Sequence, residues 1–165
     1  ASGDSLSKLL EGFRTAGLPL HFSHTGPALP DDAAFQLTVY RIVQESLTNV
    51  LRYGRSLGRV DVAIVRAGST VTIDVFDDGS GVPRDTSLES GGSSAAGNGW
   101  HFGTTYGTSY GTGQGITGMA ERARIYAGTV EAGRSGRGWR VHALLSWPAD
   151  DVSASFRPHE LQGKA

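Results

Sequence analysis

The segment Asp74-Val75-Phe76-Asp77-Asp78-Gly79-Ser80-Gly81-Val82-Pro83 constrains this chain most, because an alternating apolar strand runs directly into two acids and two glycines. Val71, Ile73 and Val75 share one parity and so face one layer, and Asp77 shares that parity. A carboxylate placed there meets the core, where burial is costly unless hydrogen-bond donors satisfy it. Gly79 and Gly81 have no side chains to hold a ring or phosphates at a distance. The exocyclic amine of a purine fits as the donor. Taken alone, an Asp-x-Gly-x-Gly run is more often an ordinary turn.

The 165 residues, 38% of them hydrophobic, suffice for one domain with a real core. A formal net charge of -1 argues against a nucleic-acid surface spread over the protein. With no cysteine, disulfides and thiolate metal sites are excluded. No apolar run is long enough to span a bilayer, and the Ala1-Ser2-Gly3-Asp4 start lacks the pattern of a signal peptide. The expected location is cytoplasmic, either as a soluble protein or as the cytosolic part of something larger.

Helices are expected over 5–17, with Leu6, Leu9, Leu10 and Phe13 as the apolar face, and over 32–54, opened by Pro30-Asp31-Asp32. Between them, Leu18 to His24 reads as a short edge strand, and its His21 and His24 fall on opposite faces, which disfavours a shared metal. Val39, Val43, Leu47 and Val50 form the buried stripe of the second helix. Its other face gathers Arg41, Glu45, Asn49, Arg52 and Tyr53 at steps of three or four. On an isolated helix that face would simply be solvated. Asn is a poor mid-helix residue, however, and its side-chain oxygen is a hard neutral ligand suited to Mg²⁺.

Val60 to Arg66 and Thr70 to Phe76 read as a hairpin around Ala67-Gly68-Ser69. From Ser90 to Ala120 no Asp, Glu, Lys or Arg occurs, and a loose Gly-Thr-Thr-Tyr repeat runs from Gly103. Residues 84–114 are therefore expected to form a mobile lid. Gly113-Gln114-Gly115-Ile116-Thr117-Gly118-Met119 then opens a helix over 115–127. Glycines at a helix start let phosphate oxygens reach free backbone N–H groups, although a flexible joint would read the same. A final hairpin joins Thr129–Ala132 to Trp139–Trp147, with Trp139, Val141, Ala143, Leu145 and Trp147 toward the core and His142 on the other face without a role. Residues 1–148 are expected to form the domain and 149–165 a disordered tail.

The helix carrying Glu45 and Asn49, the Asp77-x-Gly79-x-Gly81 strand end and the glycine-led helix occur in the order that resembles the ATP-binding domain of gyrase-type topoisomerases, heat-shock chaperones and sensor histidine kinases. More narrowly, the chain resembles the catalytic domain of bacterial two-component kinases of the nitrate-sensor and DesK-like type. Gln44 to Gly54 is similar to that group's N-box, Asp77 to Gly81 to its adenine-binding box and Gly113 to Arg122 to its second glycine box. The chain departs from the pattern at Tyr53-Gly54, where His-Ala is usual, at Ala120, where Arg is usual, and in the length of the lid.

The resemblance implies an α/β two-layer sandwich, three main helices on a mixed, mostly antiparallel sheet. It implies ATP and Mg²⁺ as cofactors, with Asp77 on the adenine amine among Gly79, Gly81 and Val82. Asn49 would hold the metal, with Glu45 acting on it through water, and these two are the catalytic residues. Arg52 and Tyr53 would approach the nucleotide, and Gly113, Gln114, Gly115, Ile116, Thr117, Gly118 and Met119 would line the triphosphate. The implied activity moves the γ-phosphoryl of ATP to a histidine on a separate dimerisation domain, for relay to a response regulator. The isolated chain would be a monomer that binds no nucleic acid. Two alternatives remain, an ATPase switch of the same superfamily and a non-catalytic nucleotide-binding regulatory module.

Overall fold

A computed structural model describes residues 2–79 and 114–147. The expected lid over 84–114, the tail from 149, and Gly81, Val82 and Gly113 lie outside the described residues, apart from the start of the third helix at Gln114. In chain order the elements are α1 (Ser2–Thr15), β1 (Leu20–Thr25), α2 (Ala33–Tyr53), β2 (Val60–Ala67), β3 (Thr70–Asp77), α3 (Gln114–Arg124), β4 (Thr129–Ser135) and β5 (Gly138–Ser146). The strands form one sheet in the order β1-β2-β3-β5-β4. β1 pairs with β2 in parallel, and the other neighbours are antiparallel. The mixed, mostly antiparallel sheet under three helices is thus present.

Alternation decides which face the helices cover. Val60, Val62 and Ile64 on β2, Val71, Ile73 and Val75 on β3, and Val141, Ala143 and Leu145 on β5 are all buried. Between them stand half-buried or exposed residues such as Asp61, Asp74 and Leu144. α2 lies on the apolar face with Phe35, Val39, Ile42, Val43, Leu47 and Val50 buried, so the expected stripe is present and is widened by Phe35 and Ile42. Ser46 also fits inside, because its hydroxyl donates to Ile42 O at 2.7 Å and so needs no water. At the N-terminal end of α2, Phe35 meets Tyr126 and Trp147 edge-on, with centroids 4.9 and 5.2 Å away. Tyr126 had given no sequence signal.

The helix ends explain the boundary corrections. α1 stops at Thr15, not 17, because Leu18 N donates to Phe13 O and Gly17 N to Arg14 O, with Gly17 at φ 99. That is a Schellman closure, which requires a left-handed residue just past the helix. α3 stops at Arg124 rather than 127 by the same device: Gly128 N donates to Ala123 O and Ala127 N to Arg124 O, and Ala127 takes the left-handed position at φ 46. The sequence offered no glycine there to mark the stop. α2 begins as expected, with the Asp32 carboxylate accepting from Phe35 N at 2.7 Å.

His142 requires a further correction. It does lie on the helix-free face, but its Nδ1 sits 3.1 Å from one Asp74 oxygen while Arg140 Nε donates to the other at 2.6 Å. Asp74 and His142 are direct cross-strand partners, so this network ties β3 to β5 where no hydrophobic layer covers them. The pairing could not be read from either strand alone.

Asp78 supplies a second tie. Its carboxylate accepts from Gly58 N and Arg59 N at 2.9 and 2.8 Å, and its own N–H donates to Arg59 O. The α2–β2 loop is thereby fastened to the end of β3. The two backbone N–H groups, Arg59 first, hold the Asp78 carboxyl below the ordinary aspartate range.

Two outcomes are expected. Asp32→Ala should cost about 1 kcal/mol in urea unfolding by leaving the Phe35 N–H without its cap. Asp78 favours its ionised form in the folded state, so its contribution is complete above the ordinary aspartate range and is lost as pH falls through the depressed folded value. Acid titration of Asp78→Asn should accordingly show a shallower fall in stability in that window than the parent shows.

Candidate functional site

The alternation that buries Val75 carries one residue further and buries Asp77, which is 3% exposed on the helix-facing side. Burial is the main reason its carboxyl is pushed above the ordinary aspartate range, with the neighbouring Asp78 charge adding to it; the backbone N–H groups of Gly79 and Trp139 act the other way. Gly79 N donates to Asp77 Oδ1 at 3.0 Å. The carboxylate is therefore oriented by its own chain, and its residual acceptor capacity can serve a ligand.

Gly79 is required for packing as well as for ligand access. A Cβ there would lie 2.6 Å from Arg55 O and 2.8 Å from Leu57 Cδ2. The same Leu57 methyl group would stand 3.0 Å from a Cβ on Gly54, the residue that ends α2. Leu57 thus brings the C-terminal end of α2 and the Asp77 end of β3 together. Leu57 is a single leucine in a loop and carries no periodic signal in the sequence.

Glu45 and Asn49 are half-buried on α2, one turn apart, followed by exposed Arg52 and half-buried Tyr53. Arg41, on the same helix face in the sequence, instead donates to Gln44 at 2.9 Å. Gly115 at the start of α3 faces Glu45, whose Oε1 would collide with any Cβ at that position. Ile116 and Thr117 are exposed and Gly118 is half-buried, so this first part of α3 presents surface and backbone. Met119 is different. It is fully buried, and Ser46 Oγ lies 3.6 Å from its sulfur. Its side chain is core that seats α3 on α2, in contrast to the expected place along a triphosphate.

These placements bring Glu45 against the N-terminal turn of α3, the positive end of its dipole, and put Asp77 under the helix layer. The Glu45 carboxylate on α2 faces that end, and Asn49 follows one turn later. Glu45 and Asn49 fit a Mg²⁺ that takes few protein ligands and completes its shell with water and phosphate. Among the described residues no group of three or more His, Cys, Asp or Glu forms a cage for a metal, so a cation here would depend on a phosphate ligand. An open hollow of about 470 Å³, lined by residues including Ser56, Phe76, Asp78 and Arg137, is separate: Phe76 alternates with Asp77 and faces the helix-free side.

Comparison with known proteins agrees with this geometry. Residues 35–149 match the family of histidine kinase-, DNA gyrase B-, and HSP90-like ATPases. Among solved structures, the Acinetobacter baumannii histidine kinase AdeS superimposes with a TM-score of 0.57 at 12% identity, over 89% of this chain and 64% of that one. The histidine kinase domain of the E. coli osmosensor EnvZ gives 0.54 at 19% identity, over 93% and 91%. Full-length ShkA in complex with AMPPNP gives 0.57 at 17% identity, over 90% of this chain but 30% of that one. At these identities the similarity is one of fold. With the family match covering Asn49, Asp77 and the whole of α3, the chain belongs to the histidine kinase-, DNA gyrase B- and HSP90-like ATPase family.

Proposed function

We propose that this chain is the catalytic ATP-binding domain of a sensor histidine kinase of the nitrate-sensor or DesK-like type. It moves the γ-phosphoryl of ATP to a histidine on a separate dimerisation domain, for relay to a response regulator. The observation that carries the reading is Asp77, a carboxylate 3% exposed at the end of a core strand. Nothing in the packing of the sheet calls for a charge there, and an acceptor aimed into the helix layer suits the adenine amine.

In this reading Asp77 fixes the base, helped by Gly79, Gly81 and Val82. The backbone N–H groups from Gly113 to Gly118, with Gln114, Ile116 and Thr117 along the same turn, stabilise charge on the phosphates. Arg52 and Tyr53 border the phosphate side. Asn49 and, through water, Glu45 would hold Mg²⁺, which neutralises phosphate charge when bound. Phosphoryl transfer asks the protein mainly for positioning and charge stabilisation, which this set of groups supplies. A cytoplasmic location follows from this reading.

Placement of Glu45 against the α3 N-terminus also supports a second reading, an ATPase switch in which Glu45 activates water. Steady ATP turnover by this chain alone would favour that switch.

Asp77→Asn should weaken ATP binding in titration calorimetry by about 1.5–3 kcal/mol, the worth of a hydrogen bond to a charged group. Equal affinity would remove Asp77 from the site. Stability should respond in the opposite sense. A raised carboxyl pKa means that the folded chain binds the proton more tightly than the unfolded chain, so Asp77 lowers stability at neutral pH and ceases to do so as pH falls below its folded value. The neutral Asn should flatten that part of the profile.

A transfer experiment tests the need for a partner. His21 and His24 are exposed on β1, and His142 has an acidic neighbour in Asp74. His142, however, faces the helix-free side, across the sheet from Asp77. The chain incubated with γ-labelled ATP should therefore stay unlabelled, and adding the histidine-bearing domain should produce an acid-labile phosphoryl signal. Labelling of the chain alone that disappears in His142→Gln would contradict the assignment.

A further inference from the structure

One large side chain beside Asp77 has no part in the reading above. Val60, Asp77, Trp139 and Arg134 are register partners across β2, β3, β5 and β4. They share a face, because successive strand residues alternate and adjacent partners point the same way. That face is the one under the helices: Val60 is fully buried on one side of Asp77, and Trp139 is half-buried on the other.

The position of Trp139 is tightly fixed. Directly cross-strand side chains have Cβ atoms about 4.5–5.5 Å apart. The preceding residue, Gly138, lies so close to the Asp77 carbonyl oxygen that a Cβ would overlap it. Part of the indole packs on the core, and the remainder is the only aromatic surface among the described residues that adjoins the Asp77 carboxylate in the sheet register. An indole offers a broad, rigid, apolar face on which a base can lie.

We propose that Trp139 forms one wall of the purine pocket and sets its specificity, closing the space next to the Asp77 acceptor so that adenines carrying a bulky group on the amine nitrogen are excluded. The inference rests on the adenine-nucleotide reading and adds a residue that controls which nucleotide is accepted. Arg134 continues the row outward on the edge strand and is exposed, so the wall ends at Trp139.

Tryptophan emission reports on the wall directly. Trp100 lies outside the described residues and Trp147 packs against Phe35 at the N-terminal end of α2, so a Trp100→Phe background leaves Trp139 as the tryptophan beside the pocket. ADP should change the emission of Trp100→Phe, and the change should vanish in Trp100→Phe/Trp139→Phe. Affinities for ADP and N6-benzyl-ADP give the second readout. A packed pocket rejects even one extra methylene by about 10–200-fold, so the parent should prefer ADP over the benzyl analogue by at least about 10-fold, and Trp139→Ala should reduce that ratio at least about tenfold by opening the wall. Trp139→Phe, which keeps an aromatic wall, should fall between them.

An undiminished ratio in Trp139→Ala together with an ADP-induced emission change that persists without Trp139 would overturn the inference. If Trp139→Ala does not fold by circular dichroism, the emission change and the Trp139→Phe ratio decide the matter. Failure of the parent to bind ADP at all would instead overturn the adenine-nucleotide reading, so the two failures are distinct.

Discussion

The arrangement of this protein depends on one unfavourable burial. Asp77 stands where an aliphatic residue would continue the β3 core, at 3% exposure, and its carboxyl responds by moving above the ordinary aspartate range. A charge can be kept there because the chain around it donates: Gly79 folds its own N–H back, and the partner strand supplies the N–H of Trp139. Close approach is what makes this possible. Gly79 and Gly138 both occupy places where a Cβ would run into neighbouring backbone, so the glycines hold the carboxylate in a tight frame and leave it as an acceptor facing the helix layer.

α2 connects that frame to the N-terminal turn of α3. Its apolar stripe fixes it on the sheet, while Glu45 and Asn49 on the adjoining face are neither fully buried nor fully exposed. α3 is seated on α2 through Met119 and Ser46, which places its N-terminal turn against Glu45. Helix-to-helix packing and the site are consequently one arrangement. A change in the Ser46–Met119 contact would move the N-terminal turn of α3 relative to α2.

The opposite face of the sheet is stabilised by different means. Among the described residues no helix covers it, and Asp74 there gathers Arg140 and His142, while Arg59 pairs with Asp61. Partly exposed pairs of this kind are individually worth little. The geometric effect of the Asp74 network is larger, because it ties β3 to β5 in register, and a slip of one residue would turn Asp77 out of the core and Phe76 into it.

Local chemistry determined much of this protein. Alternation in β3 placed Asp77 on the core side, Asp32 marked the start of α2, and the spacing of Val39, Val43, Leu47 and Val50 gave its buried face, because periodicity and capping act between residues close in sequence. The face of α2 that carries Glu45 and Asn49 was legible for the same reason. Tertiary structure alone decided that Trp139 lies beside Asp77, that Asp78 clamps Gly58 and Arg59, that Met119 is core and that His142 has Asp74 for a partner. Those relations join positions from 19 to 73 residues apart, and they exist only once register and layer order are set. The end of α3 shows the same limit at short range: Ala127 adopts a left-handed conformation that its side chain does not favour, because the chain must turn there to bring Gly128 under Leu144 and start β4.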